Sequence, residues 1–170
     1  MSKRIILIGY MGAGKSTIGK SLASHLGIPF IDSDHEIEHQ VGNSIPEIFE
    51  TQGEAEFRKL ETEFIHTLSR SGSYVLSTGG GLPCFNDNVL FLNDLGITIY
   101  LKNTCEVLAK RIMNSPIVRP IVKGKSLLEL EVFIEDNLKV REPFYLQSHT
   151  VLTSEEQEVG KILALLTTDK

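Results

Sequence analysis

The residue types best suited to chemistry stand together near the start of the chain. Residues 9–16, Gly-Tyr-Met-Gly-Ala-Gly-Lys-Ser, fit the pattern G-x-x-x-x-G-K-[ST] at every specified position. Glycines let the backbone wrap closely around an anion, and the loop N–H groups then point at phosphate oxygens. Lys15 is predicted to reach the β- and γ-phosphates of a nucleotide, and the Ser16 hydroxyl is predicted to hold Mg²⁺. The residues predicted to bind the nucleotide phosphates are Gly12, Ala13, Gly14, Lys15, Ser16 and Thr17.

The sequence on either side of this loop supports the prediction. Residues 4–8 form a short apolar, β-branched run of the kind found in buried parallel strands. After the loop, Ile18, Leu22 and Leu26 recur at helical spacing. The glycines therefore lie between a strand and a helix, where the start of the helix adds its own N–H donors to an anion site.

Two carboxylates, Asp32 and Asp34, follow the second predicted strand. Ligands of open α/β sheets bind at the carboxyl ends of the strands, so both side chains are expected near the phosphate loop. Their spacing puts them on the same side if the strand conformation continues through Ser33. One carboxylate would then steady Mg²⁺ while the other orients or deprotonates an attacking hydroxyl. The alternative is that one of them only caps the next helix.

Three successive glycines, Gly79, Gly80 and Gly81, follow the third predicted strand. They give up side-chain packing and cost ordering entropy, which favours a place where the backbone closely approaches a ligand. A plain tight turn is the alternative, although one glycine usually suffices for it.

Four arginines complete the set of candidates. Arg58 lies in a predicted helix, Arg111 and Arg119 bound a proline-containing loop, and Arg141 begins the run Arg-Glu-Pro-Phe-Tyr. The planar guanidinium donates two hydrogen bonds side by side, which suits carboxylate and phosphate groups. Most arginines are simply solvated, so these residues alone leave open which of them bind a ligand.

A competing motif lies at residues 35–39, His-Glu-Ile-Glu-His, which match the zinc-protease helix pattern H-E-x-x-H. Gly42 follows three residues later, but the third histidine of that pattern would fall at position 45, which is Ile45. Glu38 also places a charge where such helices are usually apolar. The segment is interpreted as the solvated face of a surface helix, with a zinc site as the rejected alternative.

The remaining pattern predicts the frame that positions these side chains. Strand-type runs at residues 4–8, 28–31, 74–77, 96–101 and 149–152 alternate with segments of helical period. Strands joined through helices imply right-handed crossovers and a parallel sheet with helices on both faces. Residues 44–47, Ser-Ile-Pro-Glu, predict a capping box that opens a short helix. The expectation is one three-layer α/β domain over residues 1–170.

Composition narrows the class of function. A chain of 170 residues that is 41% hydrophobic has the size of one domain with a substantial core. Its net charge is −5 and it has no basic block, so neither nucleic acid nor an anionic membrane is an expected partner. The two cysteines, Cys84 and Cys105, lack metal-type spacing. The apolar start is too short for a signal peptide, and the chain is expected to be cytoplasmic.

Together these motifs resemble those of the shikimate kinase family, in the family's order and over about residues 4–150. The matching motifs are residues 9–17, Asp32-Ser33-Asp34, Phe57-Arg58-x-x-Glu61, Ser77-Thr78-Gly79-Gly80-Gly81, Arg119-Pro120 and Arg141-x-Pro143-x-Tyr145. The resemblance implies a P-loop NTPase fold like that of nucleoside-monophosphate kinases, with a five-stranded parallel sheet and a mobile lid. It also implies transfer of the ATP γ-phosphate to the 3-hydroxyl of shikimate, in aromatic amino-acid biosynthesis, by a monomer that uses Mg²⁺.

For the substrate, the resemblance implies that Asp34 contacts hydroxyl groups and that Arg58 and Arg141 clamp the carboxylate. Gly80 and Gly81 would offer backbone donors. The helical segment at about residues 33–61 would form much of this half of the site.

For the nucleotide, the resemblance implies that Arg111 packs on adenine and that Arg119 meets the phosphates from a lid at about residues 112–124. Asp32 would support the Mg²⁺ shell through water, beside Ser16. Lys15, Asp34 and Arg119 would be the catalytic residues.

The sequence leaves two other functions open. A related small-molecule kinase, for example one acting on gluconate, would share the phosphate loop. A nucleotide switch would bind without phosphorylating, but the sequence contains neither N-K-x-D for guanine nor D-x-x-G for a switch loop.

Overall fold

The computed structural model describes residues 3–68, 70–116 and 122–168. The strands are β1 (Arg4–Ile8), β2 (Phe30–Asp32), β3 (Tyr74–Ser77), β4 (Ile97–Leu101) and β5 (Thr150–Leu152). The helices are α1 (Lys15–Leu26), α2 (Ser33–Val41), α3 (Ile45–Thr51), α4 (Gly53–Thr67), α5 (Asn88–Leu95), α6 (Cys105–Met113), α7 (Leu127–Tyr145) and α8 (Val159–Thr168). Short 3₁₀ turns cover Leu82–Cys84 and Ser154–Glu156.

The five strands form one parallel sheet in the order β2-β3-β1-β4-β5. At its centre, Ile6 of β1 lies opposite Leu76 of β3 on one side and Thr98 of β4 on the other. Strands β2 and β3 lie on one side of β1, and the chain then crosses β1 to form β4 and β5 on the other side. A crevice therefore opens at the carboxyl end of β1, which is where open α/β sheets bind ligands.

The burial of β1 shows that the sheet is covered on both faces. Ile5, Ile6, Leu7 and Ile8 are all 0% exposed, and successive side chains of a strand point to opposite faces. Helix α1 packs against β3 and against α8, whereas α5 packs against β4. The three-layer α/β prediction is confirmed, including its five parallel strands.

Local differences from the predicted elements have physical reasons. Strand β2 begins at Phe30 rather than at residue 28, since Pro29 has no N–H and offers the ladder only its carbonyl, which accepts from Val75 (2.9 Å). The capping box predicted at Ser44 is present. Helix α7 runs through Pro143 and ends at Tyr145. This extension brings the end of α7 to the carboxyl edge of the sheet.

The predicted lid at residues 112–124 is described only in part. Helix α6 ends at Met113, and Arg119 is among residues 117–121, which lie outside the described residues. Among the helices that the structure describes, none combines the length and the hydropathy needed to cross a membrane.

Helix α7 begins with a capping box that can be tested. The Ser126 hydroxyl accepts from the Glu129 N–H (3.3 Å), and the Glu129 carboxylate accepts from the Ser126 N–H (2.8 Å). Ser126→Ala should lower the free energy of unfolding by about 1 kcal/mol, which is a fall of about 2–4 °C in melting temperature for a chain of this size. Ser24→Ala, the same change at an exposed position inside α1, should leave stability unchanged or slightly raised. Equal melting temperatures for all three proteins would contradict the assigned cap.

Candidate active site

The phosphate loop connects β1 to α1 and depends on left-handed glycines. Gly12 has φ +78° and Gly14 has φ +95°, which other residues rarely adopt. The Lys15 ammonium lies over the loop and donates to the carbonyl oxygens of Gly9 (2.7 Å) and Tyr10 (2.8 Å). The loop and the start of α1 thus form a cradle of backbone N–H groups with one ammonium at its mouth.

Three side-chain oxygens meet beside this cradle. The Ser16 hydroxyl donates to the Asp32 carboxylate (2.8 Å) and lies 3.3 Å from the Ser77 hydroxyl. A carboxylate and hydroxyls beside a phosphate site are the hard oxygen ligands that Mg²⁺ prefers, with water completing its shell. These residues therefore fit the ion that the sequence predicted. Ser77 was not among the predicted ligands, although it belongs to the quoted motif.

The two aspartates reach the cavity by a different route from the one predicted. The strand does not continue through Ser33, because α2 begins there and Asp32 caps it by accepting from the Asp34 N–H (3.2 Å). The expectation of a shared strand face is therefore wrong, and Asp32 caps α2 in addition to accepting from Ser16. Asp34 stands in the first turn of α2 and still lines the cavity. Burial, followed by the charge of Asp32, raises the pKa of Asp34, whereas Lys15 opposes the rise.

The triple glycine makes room for side chains of the protein itself. A Cβ on Gly79 would stand 2.4 Å from the Asp34 carboxylate, and a Cβ on Gly81 would stand 2.4 Å from the Arg58 guanidinium. A Cβ on Gly80 would meet only ordinary contacts of 3.5 Å or more. Close approach is thus the reason for two of these glycines, as expected, but the approaching groups in this structure are Asp34 and Arg58.

Arg58 is held rigidly behind Gly81. Its guanidinium pairs with Glu61 (2.7 Å) and Glu54 (2.9 Å) of the same helix and lies 4.4 Å from the ring centroid of Phe85. Glu61 is 0% exposed, and its Oε1 has no hydrogen-bond partner among the described residues. Burial raises the pKa of Glu61 to about 7, although Arg58 attracts its charged form.

Arg141 approaches the same region from α7. Its guanidinium carbon lies 5.6 Å from the centroid of the Tyr10 ring in the phosphate loop. No carboxylate in the described parts of the chain forms an ion pair with it. A half-buried guanidinium without an internal anion is suited to binding an external one.

One cavity of about 740 Å³ collects these groups at the carboxyl edge of the sheet. The predicted site residues that line it are Gly12, Gly14, Lys15, Ser16, Thr17, Asp32, Asp34, Gly79, Gly80, Gly81, Arg111 and Arg141. Arg58 lies behind it, under Gly81, and buried Ala13 contributes a carbonyl that accepts from Arg111 (3.2 Å). The cavity also includes Ser154 and Gln157, which no sequence motif marked.

The histidines of the competing zinc motif lie elsewhere. His35 and His39 are both exposed on α2, and Glu38 between them accepts from the Ile45 N–H (2.9 Å). Within the described residues, no group of three histidine, cysteine, aspartate or glutamate side chains is arranged to hold a metal ion.

The fold and the cavity together define a class of protein. A parallel sheet with a phosphate loop at its switch point, oxygen ligands beside the loop, and a carboxylate and guanidinium facing it is the arrangement of a P-loop kinase.

Comparison with known proteins identifies the family. A family model described as shikimate kinase matches residues 11–168. The shikimate kinase of Parabacteroides distasonis is 44% identical over 154 residues, which cover 91% of this chain and 89% of that protein. The crystal structure of shikimate kinase from Bacteroides thetaiotaomicron matches with a TM-score of 0.92 and 41% identity, covering 97% of this chain and 98% of that one. The chain belongs to the shikimate kinase family, and the resemblance read from its motifs is confirmed.

A second solved relative adds a ligand. The structure of shikimate kinase from Acinetobacter baumannii in complex with shikimate matches with a TM-score of 0.89 and 37% identity, covering 100% of this chain and 96% of that one.

The burial of Glu61 predicts how stability depends on pH. Its folded pKa of about 7 lies above the ordinary value of 4.5, so the folded state keeps a proton that the unfolded state loses between those pH values. The free energy of unfolding of the natural protein should therefore fall, relative to that of Glu61→Gln, by roughly 3 kcal/mol as pH rises from 4.5 to above 7. Urea unfolding of both proteins at several pH values measures this difference. A difference that stays constant with pH would show that the pKa of Glu61 is the same in the folded and unfolded states.

Proposed function

We propose that this chain transfers the γ-phosphate of ATP to the 3-hydroxyl of shikimate, giving ADP and shikimate 3-phosphate. The observation that carries the proposal is the single cavity in which a phosphate loop faces Asp34 and Arg141. The phosphate loop suits a nucleotide, Asp34 suits a hydroxyl group and Arg141 suits a carboxylate. Membership of the family and the relative solved with shikimate support the same substrate.

On the nucleotide side, the protein aligns the phosphates and neutralises their charge, because the transition state of phosphoryl transfer spreads charge over the moving oxygens. The loop N–H groups bind the phosphates and the Lys15 ammonium reaches the β- and γ-phosphates. Ser16 would ligate Mg²⁺ directly and Asp32 would do so through water. When bound, the ion supplies further neutralisation of the phosphate charge. Arg119 would add a guanidinium from the lid, on the strength of its family motif alone.

On the acceptor side, the protein orients shikimate with one hydroxyl in line with the phosphate. Asp34 binds the hydroxyl that attacks, since its carboxylate lines the cavity near Lys15. Arg141 lines the cavity and would bind the carboxylate, and Arg58, which Glu61 holds behind Gly81, would reach the same group on the strength of its family motif alone. The N–H groups of Gly80 and Gly81 donate to no other described residue and would complete the clamp.

The domain organisation follows from these roles. Residues 33–61 would form the substrate-binding segment, and residues 112–124 would form a lid that closes over the nucleotide and excludes water. Arg111, whose guanidinium contacts the loop carbonyls of Gly12 (3.3 Å) and Ala13 (3.2 Å), stands where it can move onto adenine. We further infer a monomer in the cytoplasm, where ATP is supplied.

The proposal is tested by following ADP release with Mg²⁺ and ATP. Release should require shikimate and should stop when EDTA removes the metal. Gluconate in place of shikimate tests the related kinase, since turnover with gluconate alone would favour that reading. ADP release at the same rate with no acceptor would overturn the proposal.

The two aspartates should separate in their effects. Asp34→Asn should lower kcat/KM for shikimate on the order of 10²-fold through lost hydroxyl orientation or proton acceptance, with a normal Mg²⁺ requirement. Asp32→Asn should instead raise the Mg²⁺ concentration needed for half-maximal rate. Asp94→Asn, at a surface carboxylate paired with Arg70 (2.8 Å), is the matched control and should behave normally. Exchanged phenotypes for Asp32 and Asp34 would contradict the assignment.

A further inference from the structure

Tyr145 ends both α7 and the motif that begins at Arg141. Its side chain is 0% exposed, and its ring packs against that of Tyr100 with centroids 5.2 Å apart. The Tyr145 hydroxyl donates to the carbonyl oxygen of Gly80, 65 residues earlier in the chain. This hydrogen bond joins the end of α7 to the glycine loop of the cavity, and no step of the proposed reaction has yet used it.

The bond sets the direction of a second group. The Gly80 carbonyl belongs to the same peptide unit as the Gly81 N–H, and the C=O and N–H of a trans peptide point in opposite directions. No cis peptide bond occurs in the described ranges. Both glycines line the cavity, whereas Tyr145 lies in the core behind them. With the carbonyl held toward the core, the Gly81 N–H is turned toward the cavity.

This peptide unit needs an external restraint. Two glycines in succession lack the Cβ atoms that limit rotation, so the unit between them can flip at low cost. The preceding residue is fixed, because the Gly79 N–H donates to the Ser33 hydroxyl (2.7 Å). The N–H groups of Gly80 and Gly81, by contrast, have no hydrogen-bond acceptor in the part of the chain that the structure describes. The Gly79 and Gly81 carbonyls accept from the N–H groups of Leu82 (3.2 Å) and Cys84 (2.9 Å), whereas the Gly80 carbonyl has no backbone donor among the described residues and is held by the Tyr145 hydroxyl.

The same helix positions the second donor for an anion. Arg141 stands four residues before Tyr145, so the two lie on one face of α7, and the Arg141 guanidinium lines the cavity. A carboxylate can accept from a guanidinium and from a backbone N–H at the same time. The thiol of Cys84, 4.0 Å from the Gly80 oxygen, is a much weaker donor than a phenol. One helix thus fixes both a side-chain donor and, through a phenol, a backbone donor.

We propose that Tyr145 is a positioning residue for the substrate carboxylate, whose hydroxyl keeps the Gly80–Gly81 peptide oriented so that the Gly81 N–H donates to that carboxylate beside Arg141. The inference rests on the proposed function, because the carboxylate is that of shikimate. Tyr145 itself does not touch the substrate. Without its hydroxyl, the peptide samples the flipped orientation, in which a carbonyl oxygen faces the anion and repels it.

The test compares two buried tyrosines. Tyr145→Phe keeps the ring and removes the hydroxyl. Tyr100→Phe makes the same change next to it, at a hydroxyl that donates to Glu142 (3.0 Å) and does not reach Gly80. Tyr145→Phe should raise the Kd and KM for shikimate about tenfold, as expected for a displaced hydrogen bond to a charged group, and should leave the KM for ATP within twofold. Tyr100→Phe should leave both values within twofold.

A purely structural role gives a different pattern. Tyr145→Phe would then lower the melting temperature with an unchanged KM for shikimate, and this result would overturn the proposal. Binding can also be followed by the rise in melting temperature with shikimate concentration, which reports Kd even for a destabilised variant. A smaller rise for Tyr145→Phe than for Tyr100→Phe at equal shikimate supports the proposal, and an equal rise contradicts it.

An altered ligand isolates the carboxylate. The analogue of shikimate in which the carboxylate is reduced to a primary alcohol should bind the natural protein and Tyr145→Phe equally, because the anion that the peptide serves is gone. A tenfold difference that persists with the alcohol would show that Tyr145 acts on another part of the site. Failure of the natural protein to phosphorylate shikimate would instead count against the proposed function, and direct binding of shikimate would still report on Tyr145.

Discussion

The balance of charge in a half-buried cavity is the constraint on which this site depends. Three carboxylates, Asp32, Asp34 and Glu61, lie in or behind a cavity whose proposed ligands are themselves anions. Each unpaired charge would be costly there. Glu61 forms an ion pair with Arg58, and Asp32 accepts from the Ser16 hydroxyl and from the Asp34 N–H. The negative charges of Glu61 and Asp32 are therefore offset locally. Arg141 keeps no carboxylate of the described chain and is left to attract one from outside.

The parts of this arrangement that were predicted from sequence are those whose signals are local. The phosphate loop is specified within eight residues, and the strand ends follow from apolar runs beside glycines and charges. The start of α2 at Ser33 was predicted only as an alternative, since capping and strand pairing compete at Asp32 and tertiary packing decides between them. The spacing of the glycines revealed their need for close approach but not that Asp34 fills the space beside Gly79. The hydroxyl of Tyr145 donates to the carbonyl of Gly80, 65 residues earlier in the chain, and no local sequence pattern predicts a contact at that separation.

Helix α7 connects the two halves of the site to the rest of the fold. Its N-terminus is stabilised by a capping box at Ser126, its middle is buried through Leu130, Ile134 and Leu138, and its last turn carries Arg141. The helix packs against α6, whose end borders the predicted lid. The Arg141 guanidinium, which is proposed to bind the substrate carboxylate, is therefore anchored to the core through α7.

The central position of β1 affects the order in which the sheet can form during synthesis. Strand β1 precedes the other strands of the sheet in the chain, yet its partners lie far along the chain, with Arg4 opposite Tyr74 and Ile5 opposite Ile97. Pairings so distant in sequence carry a large loop-closure entropy and form slowly. A nascent chain that has emerged only as far as β3 has one edge of β1 still open. Of the strands in the sheet, β1 is thus the earliest in the chain, yet its pairing is completed only by β4, and the phosphate loop that follows it gains the hydrogen bonds of Arg111 only when α6 has also formed.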